Sequence, residues 1–154
     1  MMRCETRPVL LAAILSAVVL LPSIGRAGEP RAWDQAEVAA LADELYEAVK
    51  DLRESVRRAS DPGIASGQAR STHRLLDTLR LIRNESKHLA SRLNEGAGRD
   101  ETLPVFRRIG QLRLQAAEDA RRLMLLQPVL DRIEAARSVL EKLEPYYAVS
   151  GEES

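Results

Sequence analysis

Apolar residues recur at alternating intervals of three and four along four stretches of this chain, and that spacing constrains its fold most. It puts them on one face of a helix, where they must pack against a partner. The first seam is Val38, Leu41, Leu45, Ala48, Leu52, Ser55 and Ala59, widened by Val49 and Val56. The second is Leu75, Leu79, Ile82, Ser86, Leu89 and Leu93. The third is weaker. Phe106, Ile109, Ala116, Ala120 and Leu123 form one line broken by Arg113, with Gly110, Leu114, Ala117 and Met124 beside it. Its many small residues predict close approach to a neighbouring helix. The fourth is Val129, Ile133, Ala136, Leu140, Leu143 and Tyr147. Aromatics make up only 3 % of the chain, which argues against a sheet, where they are favoured.

Local signals set the boundaries. Asp34 followed by Glu37 reads as an N-cap with a capping-box partner. Ser60-Asp61-Pro62-Gly63 is a turn, and a second helix starts between Ile64 and Arg70. Gly96, after Asn94-Glu95, is a natural C-cap. A third helix starts near Thr102 with Pro104 in its first turn. Pro128 cannot donate a helix hydrogen bond and crowds the preceding turn, so the third helix should end near Leu126.

The expected fold is all-α, an up-down-up-down four-helix bundle with helices at about 34–60, 65–95, 102–126 and 128–146. The rival is one kinked helix over 103–146. It would be about 66 Å long, against roughly 40–45 Å for the first two, and that mismatch favours a hairpin. Leucines should hold the bundle, with Leu79→Ala costing about 2–5 kcal/mol.

The start of the chain has a different pattern. Arg3 and Arg7 precede an apolar run from Val9 to Leu21 that only Ser16 interrupts. Pro22 follows, and Gly25 and Ala27 place small residues at −3 and −1 of a cut after Ala27. This is the layout of a secretory signal peptide. A membrane span needs about 20 apolar residues, more than the run offers. The expected organisation is a signal peptide over 1–27 and one helical domain over 28–154, exported to the periplasm or outside the cell. Cleavage would remove Arg3, Arg7, Arg26 and Glu5, leaving a formal net charge of about −2. Such a chain has no bulk pull on nucleic acid, so none is expected as a partner. Cleavage would also remove Cys4, the one cysteine, and with it any disulfide, thiolate metal site or covalent haem.

The remaining chemistry is sparse. Glu85 and His88 make one Glu-x-x-His, but the ferritin-like di-iron arrangement needs it on two helices. With Leu79 and Ser86 at a and Ile82 and Leu89 at d, His88 falls at c and His73 at b, both facing water. The architecture is similar to that of exported four-helix cytochromes, yet Cys-x-x-Cys-His is absent and Met124 is the one methionine after the leader. No Gly-x-Ser-x-Gly elbow or phosphate-binding loop occurs. No catalytic residue, metal ligand or cofactor is therefore assigned. The Leu-Thr-x-x-Gln repeats of one class of periplasmic chaperone are absent as well.

Two polar residues stand in core positions. Ser86, Gly110 and Arg113 fall at similar height if the chain folds back about Gly98. Ser86 and Arg113 then form a candidate pocket for an anion or carboxylate. Alternatively, Ser86 and Gly110 permit close helix approach while Arg113 snorkels outward, avoiding the cost of a buried unpaired charge. Trp33, Tyr146 and Tyr147 should meet at one end of the bundle and clamp the chain termini. The expected function is non-enzymatic: binding or scaffolding of a protein or small molecule, by a monomer or homodimer. The alternative is a haem- or metal-carrying bundle.

Overall fold

The structure, a computed structural model, describes residues 30–60 and 66–148. The expected signal peptide and the turn after Ser60 lie outside the described residues. Among those described are four helices and no strand: α1 (Gln35–Ala59), α2 (Ser66–Asn94), α3 (Arg99–Ala120) and α4 (Gln127–Tyr147).

The caps at Asp34 and Gly96 follow the sequence, although the Glu37 carboxylate pairs with Arg31 at 3.2 Å rather than closing a capping box. The Asp34 carboxylate accepts from the Glu37 N–H at 3.0 Å and starts α1. α2 ends in a Schellman turn: the Gly96 N–H donates to the Leu93 carbonyl and the Ala97 N–H to the Arg92 carbonyl. Gly96 sits there at φ +91°, a region closed to most side chains. α3 begins at Arg99, three residues before the expected Thr102. Gly98 has no side chain to cap with, so Glu101 reaches back to the Gly98 N–H at 3.3 Å. Pro104 therefore lies inside α3 rather than in its first turn.

The break between α3 and α4 is real, but α3 stops at Ala120, not near Leu126. Leu123 and Leu125 fold inward over the end of the core, while Met124 and Leu126 point outward. That alternation is the signature of extended chain, and it unwinds what Pro128 alone left helical.

Successive helices run antiparallel. The Gln35 amide at the start of α1 donates to Leu93 and Ala97 at the end of α2. Thr78 on α2 donates to the Asp119 carboxylate at the end of α3. Glu44 pairs with Lys142 and Asp51 with Arg132, so α1 and α4 also run in opposite directions. These ion pairs are exposed and contribute at most about 1 kcal/mol each. The fold is held by apolar residues from all four helices around one core.

The seams match unevenly. All six expected positions of α2 are buried. On α1 the core takes Val38, Ala42, Leu45, Val49, Leu52 and Val56, while Ala48, Ser55 and Ala59 are only partly buried. Leu41 is buried as well, and the line from Val38 through Ala42, Leu45, Val49 and Leu52 to Val56 itself alternates four and three, so the core takes the widening positions Val49 and Val56 in place of Ala48 and Ser55. On α3 the seam is Ile109, Leu112 and Ala116, again at three and four. Arg113 does not break it; it lies beside Leu112.

Candidate functional site

The two ends of the bundle are built differently. At the end holding Trp33, the segment before α1 is locked onto α4. The Tyr147 ring stacks on Phe106 at 4.1 Å and meets Trp33 edge-on at 5.5 Å. Its hydroxyl lies 3.0 Å from that of Thr102, which is itself buried and donates to the Gly98 carbonyl. The Arg31 N–H donates to the Pro145 carbonyl, and the Arg31 guanidinium sits over the Tyr146 ring. Trp33 donates to Gln35, which donates on to the Leu93 and Ala97 carbonyls. Trp33 and Tyr147 thus meet as expected, with Phe106, placed by its spacing only in the α3 seam, as the third ring, while Tyr146 packs under Arg31 instead. The Tyr146 hydroxyl is buried without a hydrogen bond of good geometry. Burial first, and the nearby Glu37 carboxylate second, push its pKa up to about 12, against an opposing pull from Arg31.

The opposite half is open. α1 packs closely against α2 and α4, and α2 against α3, but α3 and α4 scarcely touch. They are joined by the Tyr147 contacts at one end and by the 121–126 link at the other, and they splay between. The gap is an apolar cleft of about 260 Å³. Its walls are Val49 to Val56 on α1, Leu75 to Ile82 on α2, Arg113 to Ala120 on α3 and Ile133 to Leu140 on α4. Each wall covers two helical turns, about 10 Å at 1.5 Å per residue. Ala116, Ala117, Ala120 and Ala136 line it. Alanines permit close helix approach, as the sequence led us to expect of α3, but between α3 and α4 they leave space instead. Leu114, two-thirds exposed, stands at the rim.

Among the described residues, Arg113 and Arg137 are the only charged ones lining the cleft. Arg113 is half-exposed and reaches Glu144 at 3.7 Å. Arg137 is bound on its own helix, with Nε 2.7 Å from Glu141 and Nη1 3.7 Å from Glu134. The Glu141 contact raises the Arg137 pKa further, so the guanidinium stays charged.

Of the two candidate pocket residues, Arg113 lines the cleft and Ser86 does not. Ser86 is fully buried in the α2 seam, and its hydroxyl has no hydrogen-bond partner. Gly110 makes no close approach either, because a Cβ there would meet nothing within 4 Å. His73 and His88 are exposed on α2, and Met124 is 90 % exposed on the link. Among the described residues no three His, Cys, Asp or Glu side chains gather as metal ligands would. Among them too, no helix is long and apolar enough to cross a membrane. The cleft itself escaped the sequence reading. Its one signal there, the run of small residues on α3, fits a tight helix pair equally well. Comparison of the chain with protein-family models, with curated proteins and with solved structures gives no match.

Proposed function

We propose that this is an exported, non-enzymatic binding protein whose site is the cleft between α3 and α4. The observation that carries the reading is the cleft itself. A well-packed core leaves few voids larger than a water molecule, because lost dispersion contacts cost stability. Here roughly 260 Å³ is kept apolar and reachable from solvent. An apolar cavity of about 150 Å³ is enough to hold benzene. The leader-like Val9–Leu21 run and the small residues before position 28 support export. The absence of a nucleophile elbow or phosphate loop in the sequence supports binding without chemistry.

A neutral apolar dye such as N-phenylnaphthylamine tests the site. Its fluorescence should rise on mixing with the protein, and Ala120→Leu, which puts a larger side chain on the cleft wall, should abolish the rise. Equal fluorescence from both proteins would remove the cleft from the account. N-terminal sequencing of exported protein should begin at Gly28; retention of the first residues would remove export by a cleaved leader.

A further inference from the structure

Among the described residues the lining of the cleft is apolar except for Arg113 and Arg137. Phe106 and Thr102 on α3 both contact Tyr147 on α4, and this fixes the antiparallel register. Counting along both helices from those contacts puts the Arg113 backbone level with positions 136 to 140, from where its side chain extends towards Glu144. Arg137 falls inside that interval, so the two guanidinium-bearing residues flank the mouth from opposite walls. Their carboxylate partners, Glu144, Glu141 and Glu134, do not line the cleft.

The two cations are also incompletely used. A guanidinium has five N–H donors. Among the described residues Arg113 makes no hydrogen bond, only the ion pair with Glu144 at 3.7 Å, too long for one. Arg137 commits Nε to Glu141. Donors are therefore left over on both sides of the opening, beside apolar walls that strengthen any charge-assisted bond made there.

Resting on the binding function proposed above, we infer that the ligand is a small amphiphile with one anionic head. Its apolar part lies in the cleft and its head between Arg113 and Arg137. The dimensions agree. A cleft two helical turns long takes a short chain or a ring system, whereas a docked partner helix needs a longer groove with several turns of anchors.

Calorimetric titration of the purified protein with octanoate, octanol and octylammonium tests this. Octanoate should bind about tenfold more tightly than octanol, with octylammonium weakest. The double variant Arg113→Gln with Arg137→Gln should bind octanoate no better than octanol, with its melting temperature unchanged because both side chains are exposed. Equal affinity for octanoate and octanol in the unmodified protein would overturn the anionic head while leaving an apolar-ligand site standing. Persistence of the octanoate preference in the double variant would overturn the role of the arginines. If no probe binds and the protein sediments as a dimer, the cleft is an interface between copies, and both readings fall.

Discussion

The clamp end and the cleft end of this bundle are made from the same helices, yet they solve packing in opposite ways. At the clamp end, Leu45, Leu89, Leu93, Ile109, Leu143 and Tyr146 are all essentially inaccessible. Trp33, Phe106 and Tyr147 fill the corner where the segment before α1 meets α4, and hydrogen bonds from Arg31 and Gln35 reach the ends of α4 and α2. At the cleft end, the facing positions of α3 and α4 carry alanines, and the link closes over the top through Leu123 and Leu125. Helices pinned at both ends can stay apart in the middle. Close packing and open space are thus segregated along the bundle axis.

Truncating one leucine in each half should expose that difference most strongly. Leu89→Ala removes a side chain packed on every side and should cost about 4–5 kcal/mol, the upper part of the range for buried leucines. Leu79→Ala removes one that already borders empty space, so fewer contacts are lost, and about 2–3 kcal/mol is expected. Urea denaturation measures both. Equal costs would mean that the cleft end is as tightly packed as the clamp.

The clamp should also set the behaviour at high pH. A free tyrosine ionises near 10, while Tyr146 in the folded chain holds its proton to about 12, and burial raises Tyr147 as well. Between those values the unfolded chain has lost protons that the folded chain keeps. Stability must therefore fall as pH rises from about 10 to about 12. A Tyr146→Phe variant should lose much of that slope while melting normally near pH 7. A slope unchanged by the substitution would show that the phenol is not held neutral in the clamp.

Two smaller effects separate the seam from the cleft. Ser86 carries a hydroxyl that is buried without a partner, so Ser86→Ala should stabilise the chain by about 1 kcal/mol in thermal melts. Destabilisation would mean that the hydroxyl has a polar partner. Gly110→Ala should add about 0.5–1 kcal/mol, because the helix interior gains propensity and the new methyl meets nothing. A loss of stability there would restore the close helix contact that the sequence suggested.

Most of the clamp end was legible in the sequence. The Asp34 cap, the Gly96 turn, the whole α2 seam and the meeting of Trp33 with Tyr147 follow from residue type and spacing. The site was much less so. The spacing from Ile109 to Ala116 fits Leu112 as well as Arg113, and charge favours Leu112 for the core, so the seam of α3 was legible but was drawn through the wrong residue. The end of α3 was misplaced because Leu123 and Leu125 leave the helix to cover the core, a tertiary gain that local propensity does not contain. The cleft is a lack of side chains between two helices, and the small residues that line it, Ala116, Ala117, Ala120 and Ala136, fit a tight helix pair equally well.

The most direct test is methyl-resolved nuclear magnetic resonance of the protein titrated with octanoate. The account predicts shifts at Leu75, Leu79, Ile82 and Ile133, which line the cleft, with Leu45, Leu89, Leu93 and Leu143 unmoved. Shifts spread evenly over both sets, or confined to the clamp leucines, would contradict it.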